Sequence, residues 1–342
     1  MFLTKLPSGI YYLYFKDTSG KKQKISTRSK KKSEAIQFLK TFDGKYVRRE
    51  NTKILLSEFQ EQILSHISST HTKGTVKIYY EGFQTLKRII GDVYLNTIKH
   101  RQVDLYNSER LKEVKPITVN SRLIALKSAF NIAVRWEYLT ENPFTRVKFC
   151  VVSQNVPIFF TKEDFQLLLY AIKEPWLKEA AIFSTLTGIR LSEFTHLRWR
   201  DVNIERKIIS IESSSQFRTK SGKRRDIPLS DTVLYMLKQK SVAQQTDSLD
   251  DYVFRWNNKK ILEIVLSRKF KGYVRSCKLR DSRLHWHSLR HTFASWLVQD
   301  GVSIYAVQQL LGHADVKTTQ VYSHLQPDQL HDEVNRIQIS LN

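Results

Sequence analysis

The chain has 342 residues, 41% of them hydrophobic and 11% aromatic, with 56 Lys or Arg against 33 Asp or Glu and a formal charge of +23. This length predicts two or three domains, and the apolar content excludes a disordered basic tail. The excess positive charge favours a nucleic acid as partner over an anionic membrane surface or a purely solubilising role.

Neither a membrane span nor a metal framework is predicted. No stretch approaches the ~18 apolar residues that a span requires, and the first residues lack the apolar core of a signal peptide. Cys150 and Cys277 stand far apart, without CxxC or His-rich spacing. We therefore expect a cytoplasmic, nucleoid-associated protein with no metal and no cofactor.

The first 50 residues form a basic unit with a net charge of +9, from thirteen Lys or Arg against four Asp or Glu. Aromatic and β-branched residues flank a DTSG turn in residues 8–27, which predicts a hairpin, and a short helix with Ser29 as its N-cap follows. The alternative to a DNA contact is a solvated lysine face. Three hairpin lysines are candidate DNA contacts: Lys21, Lys22 and Lys24.

Residues 53–146 have a helical pattern. Apolar residues recur every three or four positions in residues 56–67, 76–90 and 119–133, the last with Thr118 as the expected N-cap. We expect a bundle of about four helices, followed by an extended linker over residues 147–157. Four basic residues are expected on its outward faces as candidate DNA contacts: Lys73, Lys77, Arg122 and Lys127.

The third region, residues 158–342, is predicted to be mostly helical, so the fold class is mainly α with small β elements (α+β). Thr161 is placed to begin its first helix. KIISIES and QFRTKSGKRRDIPLS predict short strands, the second with a Ser-Gly turn, and an amphipathic helix is expected after Pro327.

Two segments of this region place charged side chains on one helical face. Arg190 and Glu193 are three positions apart, which fits an ion pair of either structural or functional use. His287 and Arg290 share a face at the same spacing. His287 and His291 have the spacing of a zinc pair, but Ser288 stands where the HExxH motif needs glutamate, so no metal is expected.

Two further candidates lie in a hairpin and near the C-terminus. Lys220, beside the Ser-Gly turn, is expected on a mobile arm with other basic residues, unless it is simply exposed: Arg218, Lys223, Arg224 and Arg225. In LGHADVKTTQVYSH, Gly312 should end a helix that Ser303 caps, leaving His313 just beyond it. Asp315 should then cap a second short helix that delivers Tyr322.

These residues together suit chemistry on a phosphodiester. Arginines present forked donors that match phosphate oxygens and can stabilise the charge of a pentacoordinate transition state. A tyrosine phenol can attack phosphorus if a base takes its proton, and a lysine can protonate the leaving oxygen. No cluster of metal-binding carboxylates is evident, which disfavours metal-activated water.

TGIRLSE, the lysine of RTKSGKRRDIPL, HSLRH, LGH and Tyr322 resemble, in this order, the signatures of the tyrosine recombinase (phage integrase) family. The resemblance implies an arm-type DNA-binding unit at 1–50, a core-binding domain at 53–146 and a catalytic domain at 158–342 whose C-terminal helix is exchanged between protomers. Ser288 stands where aspartate is common in the family.

The resemblance also implies roles for the site residues. Arg190 and Arg290 would clamp the scissile phosphate, His313 would hydrogen-bond to it, and Glu193 would support the arginines. His287 would assist proton transfer, Lys220 would protonate the departing 5′-oxygen, and Tyr322 would form a 3′-phosphotyrosyl bond. The implied partners are double-stranded DNA attachment sites bound by a homotetramer, with room for accessory DNA-bending or directionality proteins.

Three alternatives stay open on sequence. The basic N-terminal unit favours the integrase of a prophage or mobile element over a chromosome-resolution recombinase. A type IB topoisomerase would share the phosphotyrosyl chemistry, but the amphipathic tail after Tyr322 favours exchange between subunits. A catalytically silent DNA-binding regulator is disfavoured because all six catalytic positions are filled.

Overall fold

The computed structural model describes residues 1–17, 20–42, 53–152, 156–213, 224–244 and 248–326. The chain divides into two compact units, Met1–Ser153 and Gln154–Asn342. Both are mostly helical with small sheets, which confirms the predicted fold class. None of the helices in the described ranges combines the length and apolar character needed to cross a membrane.

The first unit begins with a three-stranded antiparallel sheet in the order β1-β2-β3. Strands β2 (Tyr11–Lys16) and β3 (Lys22–Ser26) form the predicted hairpin, whereas β1 (Phe2–Lys5), only four residues long, was not predicted. The side chains of the three candidate lysines of this hairpin are exposed.

Helix α1 (Lys32–Thr41) follows the sheet, and its N-cap was predicted wrongly. Lys31, not Ser29, holds the cap position. The Ser29 hydroxyl instead accepts a hydrogen bond from the Lys31 amide at 3.0 Å and donates one to Glu34 at 2.6 Å. Serine hydroxyls commonly form such local turns beside a helix start, which moves the helix two residues later than the sequence indicated.

The rest of the first unit is the predicted helical bundle. Phe59, Phe83 and Phe130 pack edge-on or stacked at its centre, and each is fully buried. The apolar stripes therefore face inward, as predicted. The four α-helices of its described part are α2 (Leu56–Ser68), α3 (Lys73–Ile90), α4 (His100–Glu113) and α5 (Pro116–Arg135), with a 3₁₀ turn at Leu95–Thr97.

Two predictions for this bundle were wrong. Thr118 lies inside α5, because Pro116 occupies the first helical position, where its missing N–H costs nothing, and Lys115 is the N-cap. Arg122 does not face outward: its side chain is 15% exposed and pairs with Glu81 of α3. Lys127 is half-buried and donates to the Thr145 carbonyl at 3.1 Å.

Lys73 and Lys77 are exposed, as expected of DNA contacts. They lie in the first turns of α3, and the Lys77 side chain is 75% exposed even though it approaches Glu81 at 3.8 Å. These two lysines, rather than Arg122, are thus available to a ligand on this unit.

The second unit is mostly helical. Thr161 caps the first helix by accepting the Asp164 amide at 3.1 Å, as predicted. Two small antiparallel sheets, β4-β5-β6 and β7-β8, lie among the helices. The Ser-Gly turn with Lys220 and the helix expected after Pro327 lie outside the described residues.

Its helices are α6 (Lys162–Ala171), α7 (Pro175–Thr187), α8 (Leu191–His196), α9 (Asp231–Gln244), α10 (Glu263–Ser276), α11 (Trp286–Gln299), α12 (Ile304–Leu311) and α13 (Lys317–Gln320), with 3₁₀ turns at Trp199–Asp201 and Ser323–Leu325. Its strands are β4 (Val202–Asn203), β5 (Ile208–Ile211), β6 (Arg225–Pro228), β7 (Arg255–Trp256) and β8 (Lys259–Lys260).

Helix α11 joins the two apolar clusters of this unit. Trp286 and Leu289 belong to the larger cluster, which includes residues of α7. Ala294 and Val298, further along the same helix, belong to a smaller cluster with residues of α12 and with Tyr322. Polar side chains of α11 are consequently held between α7 and the C-terminal segment.

Candidate active site

Arg290 of α11 connects the turns that follow two helices. Its guanidinium donates through Nη1 to the carbonyl of Gly188 and through Nη2 to the carbonyl of Leu311, both at 2.6 Å. These carbonyls lie at the C-terminal ends of α7 and α12, where backbone acceptors lack helical partners and the helix dipole favours a cation. Arg290, only 3% exposed, thereby fixes both turns.

Helices α7 and α12 both end at a glycine in the left-handed region, and a side chain at Gly188 would clash with α11. Its φ is +60°, and an added Cβ would lie 2.4 Å from Cδ1 of Phe293 on α11. The chain can therefore pass close to α11 and begin α8 three residues later, at Leu191. Arg190 is the N-cap residue of α8.

Arg190 and Glu193 form the contact that their spacing predicted. Glu193 accepts from the Arg190 backbone amide and from its Nη1, both at 3.0 Å, and the Glu193 side chain is 1% exposed. Burial by itself would raise the pKa of Glu193, but the hydrogen bonds and charge of Arg225, together with those of Arg190, lower it to about 2. The carboxylate is thus ionised at neutral pH and holds the guanidinium in place.

His313 follows Gly312, where helix α12 ends as predicted. Its Nδ1 shares a 2.9 Å hydrogen bond with Oγ1 of Thr319, a fully buried threonine of α13. Burial, then the positive charges of Arg290 and Arg190, lowers the pKa of His313 to about 4. The imidazole is consequently neutral at pH 7, and a proton on Nε2 can be offered to an anion when Thr319 donates to Nδ1.

Tyr322 lies two residues after the end of α13 and is 2% exposed. Its backbone amide donates to the carbonyl of Thr319 at 3.0 Å, so Thr319 contacts both His313 and Tyr322. Asp315, the predicted N-cap of α13, lies one residue before the observed N-cap, Val316. The Asp315 side chain still accepts a hydrogen bond from the Lys317 amide at 3.0 Å. Burial raises the pKa of Tyr322 to about 12, although the charge of Arg290 opposes this shift.

The histidine that contacts the phenol is His291. Its Nδ1 lies 2.5 Å from the Tyr322 hydroxyl, and burial, followed by the charges of His287, His285 and Arg290, lowers its pKa to about 4. His287 is exposed, and its ring stands nearly perpendicular to that of His291 with centroids 4.8 Å apart. Sequence spacing suggested His291 only as part of a zinc pair. No spacing rule relates it to a tyrosine 31 positions later.

Four of the six predicted catalytic residues thus surround one site: Arg190, Arg290, His313 and Tyr322. Burial and the charge of Arg190 lower the pKa of Arg290 to about 9, which still leaves it protonated at pH 7. His287 is one histidine ring away, and Lys220 lies outside the described residues. Within the described ranges, no group of three or more His, Cys, Asp or Glu could hold a metal ion.

Such a site can bind an oxyanion between fixed guanidinium groups and a neutral imidazole, beside a buried phenol. Thr319 and His291 complete it, and neither was predicted. The sequence could have indicated Thr319 through the Thr-Thr pair that lies between His313 and Tyr322. A threonine in a short helix can reach residues on either side of that helix.

Two family models match this chain. The sequence model of the phage integrase family matches residues 159–329, and that of the phage integrase SAM-like domain matches residues 55–150. A tyrosine recombinase of Thermosipho africanus is 27% identical, over 82% of this chain and 98% of the relative. The ICEBs1 integrase of Bacillus subtilis is 23% identical, over 98% of this chain and 99% of the relative.

A solved structure has the same fold. The lambda integrase tetramer bound to a Holliday junction superposes with a TM-score of 0.64 and 20% identity, covering 92% of this chain and 95% of that one. The family model spans half of the chain, including every residue of the site described above. The chain belongs to the phage integrase family.

Proposed function

We propose that the chain is a site-specific DNA recombinase that cuts and rejoins strands through a 3′-phosphotyrosyl intermediate at Tyr322, integrating or excising a prophage or other mobile element. The observation that carries the proposal is the convergence of two arginines, a neutral histidine and a phenol from four separate segments on one site. Cleavage and rejoining of DNA through a phosphotyrosine intermediate is the reaction of the family to which the chain belongs.

Arg190 and Arg290 bind the nonbridging oxygens of the scissile phosphate in this proposal. Arg290 stays protonated at neutral pH, and the positions of the two guanidinium groups are set by Glu193 and by two carbonyls before the substrate arrives. Preorganised cations stabilise the charge that builds up in the pentacoordinate transition state. His313 donates a further hydrogen bond from its neutral ring.

Tyr322 attacks the phosphorus, so that an O–P bond forms to the phenol and the bond to the 5′-oxygen breaks. The leaving oxygen takes a proton, for which Lys220 remains the proposed donor. Because His291 contacts the hydroxyl, we assign the first acceptance of the phenol proton to His291, with exposed His287 passing it onward. A neighbouring phosphodiester favours protonated imidazole, which raises the basicity of His291 when DNA is bound.

The partners are DNA attachment sites, and a homotetramer joins two duplexes, by analogy with the lambda integrase tetramer on its junction. We also propose that accessory DNA-bending or directionality proteins are partners, and that the protein acts on the nucleoid in the cytoplasm. The mobile-element role draws support from the ICEBs1 integrase, whose alignment covers 98% of this chain, including the basic N-terminal unit.

The proposal is tested with a nicked suicide duplex that carries the site found beside the gene. Wild-type protein should form a covalent DNA complex, and Tyr322→Phe should bind without forming it. Tyr305→Phe is the matched control, since Tyr305 is 70% exposed and should leave the complex intact. Wild-type protein that binds but never becomes covalent would identify a silent regulator, and relaxation of plasmids lacking any site would identify a topoisomerase.

A further inference from the structure

Arg225 is a buried arginine outside the predicted set. It begins β6, and the sequence predicted it among the basic residues of a mobile arm around Lys220. Its side chain is only 9% exposed. Both terminal nitrogens donate to the Glu193 carboxylate, Nη1 to Oε1 at 2.9 Å and Nη2 to Oε2 at 2.6 Å.

This forked contact shares the carboxylate with Arg190. Oε1 of Glu193 accepts from Nη1 of both arginines, and Oε2 accepts from Nη2 of Arg225 and the backbone amide of Arg190. Forked arginine–carboxylate pairs fix orientation as well as charge. The position of the Glu193 carboxylate, and with it that of the Arg190 guanidinium, therefore depends on Arg225.

The stem of Arg225 also packs on the glycine before His313. An added Cβ at Gly312 would lie 2.3 Å from Cδ of Arg225 and 2.9 Å from its Nε. Gly312 has a φ of +64°, so this turn already requires glycine. Arg225 thus contacts both the segment that carries Arg190 and the turn that carries His313.

Stability alone does not account for this residue. Nε of Arg225 is buried and has no acceptor among the described residues. Buried ion pairs are frequently no more stabilising than well-packed apolar residues of similar volume, and their partial satisfaction is unfavourable. A buried arginine with an unpaired nitrogen, between two phosphate-binding segments, is better explained by its effect on the site.

We propose that Arg225 is a positioning residue, which orients the Arg190 guanidinium through Glu193 and sets the turn of His313 through Gly312. The inference rests on the proposed function, in which Arg190 and His313 hold the scissile phosphate. It gives strand β6, which begins at Arg225, a role in positioning the two phosphate-binding segments.

The test compares Arg225→Gln and Arg225→Lys with Arg224→Gln. Arg224 is the adjacent residue, and its side chain is 59% exposed. Single-turnover covalent-complex formation is measured at saturating DNA on the suicide duplex. Arg225→Gln should be slower by about 10²-fold, the loss typical of a reacting group displaced by about 1 Å, and Arg224→Gln should match wild type. Arg225→Lys, which keeps the charge but not the fork, should fall between them.

A second substrate separates positioning from a general loss of structure. A methylphosphonate at the scissile position removes the negative charge that Arg190 binds. The defect of Arg225→Gln should shrink to less than about 3-fold on this substrate, because the misplaced guanidinium then has less charge to stabilise. An equal defect on both substrates would contradict the inference. If Arg225→Gln does not fold, Arg225→Lys carries the same comparison.

A DNA-free measurement completes the test. Burial and the charges of Arg290 and Arg190 are the main causes that lower the pKa of His313. The charge of Arg225 lowers it further. NMR titration should show a higher midpoint for His313 in Arg225→Gln and no change in Arg224→Gln. An unchanged midpoint in Arg225→Gln, or cleavage equal to Arg224→Gln, overturns the inference while the proposed function stands. Failure of wild-type protein to form any covalent complex overturns the function instead.

Discussion

The Tyr322 hydroxyl lies 2.5 Å from Nδ1 of His291, in an interior where the tyrosine is 2% exposed. With the pKa of the phenol raised to about 12 and that of the imidazole lowered to about 4, the proton stays on the phenol in the absence of DNA. The nucleophile is thus neutral and fixed before the substrate binds, and bound DNA must change its surroundings for attack to occur.

This contact predicts an energetic coupling between the two side chains. His291→Leu and Tyr322→Phe each leave a buried polar partner unpaired, and each should lower the free energy of unfolding by about 1–3 kcal/mol. The double variant should lose less than the sum, with a coupling of about 1 kcal/mol, since neither polar group is then left alone. Urea unfolding measures all three. Additive losses would show that the hydrogen bond does not form in solution.

Alanine should have opposite effects on stability at two glycines, Gly188 in a tight turn and Gly272 on a helix. Gly188→Ala should destabilise the protein by about 1–2 kcal/mol through its left-handed backbone, with about 1–3 kcal/mol more from the clash with Phe293. Gly272→Ala, at an exposed position of helix α10 with nothing within 4 Å of the new Cβ, should stabilise it by about 1 kcal/mol. Thermal unfolding gives both signs, and equal shifts would contradict the packing at Gly188.

The two half-buried histidines of the site, His291 and His313, predict a loss of stability in acid. Their folded pKa values of about 4 lie below the ordinary value of 6.5, so the unfolded chain binds more protons between these limits. The contribution of His291 and His313 is therefore fully present above pH 6.5 and is lost as the pH falls towards 4. Urea midpoints at several pH values check this.

The control is a variant with glutamine at both histidine positions, His291→Gln and His313→Gln, whose unfolding should depend less steeply on pH over the same window. An unchanged slope would mean that these two groups titrate normally in the folded protein.

The exposed lysines of α3 predict a salt effect on DNA binding. Lys73→Gln and Lys77→Gln should each weaken binding and reduce the slope of log affinity against log salt by about 0.9 if each contacts one phosphate. Neither should change the unfolding temperature appreciably, because both side chains are exposed. Filter binding measured at salt concentrations from about 50 to 200 mM gives this slope.

Arg122→Gln is the contrasting variant, because its side chain is 15% exposed and pairs with Glu81. It should lower the unfolding temperature while leaving the salt slope near that of wild type. A normal unfolding temperature with a reduced slope would place Arg122 at the DNA instead.

Local patterns predicted much of this fold, because caps and stripes depend on neighbours in sequence. Thr161, Ser303 and Gly312 occupy the helix ends expected of them. Where two local signals competed, as at Thr118 beside Pro116, the proline determined the helix start. Arg122 was misplaced because its partner, Glu81, is on another helix.

The family motifs predicted four residues of the site that are far apart in sequence, Arg190, Arg290, His313 and Tyr322. Arg190 with Glu193, and Gly312 with His313, are local pairs. The contacts of His291 with Tyr322 and of Arg225 with Glu193 span 31 and 32 positions, and they arise from the packing of α11, β6 and α13. Neither composition nor periodicity carries such information. The family motif HSLRH gave His287 its expected role in proton transfer, whereas the contact of His291 with the phenol is visible only in the structure.

The most direct test of the account is to locate the DNA on the protein. Covalent complex trapped on the suicide duplex is digested with trypsin and nuclease, and the adduct is mapped by mass spectrometry. The tryptic peptide of residues 318–336 contains a single tyrosine, Tyr322, so we expect a nucleotide on that peptide at that residue. A nucleotide attached to any other residue, with Tyr322 unmodified, would contradict it.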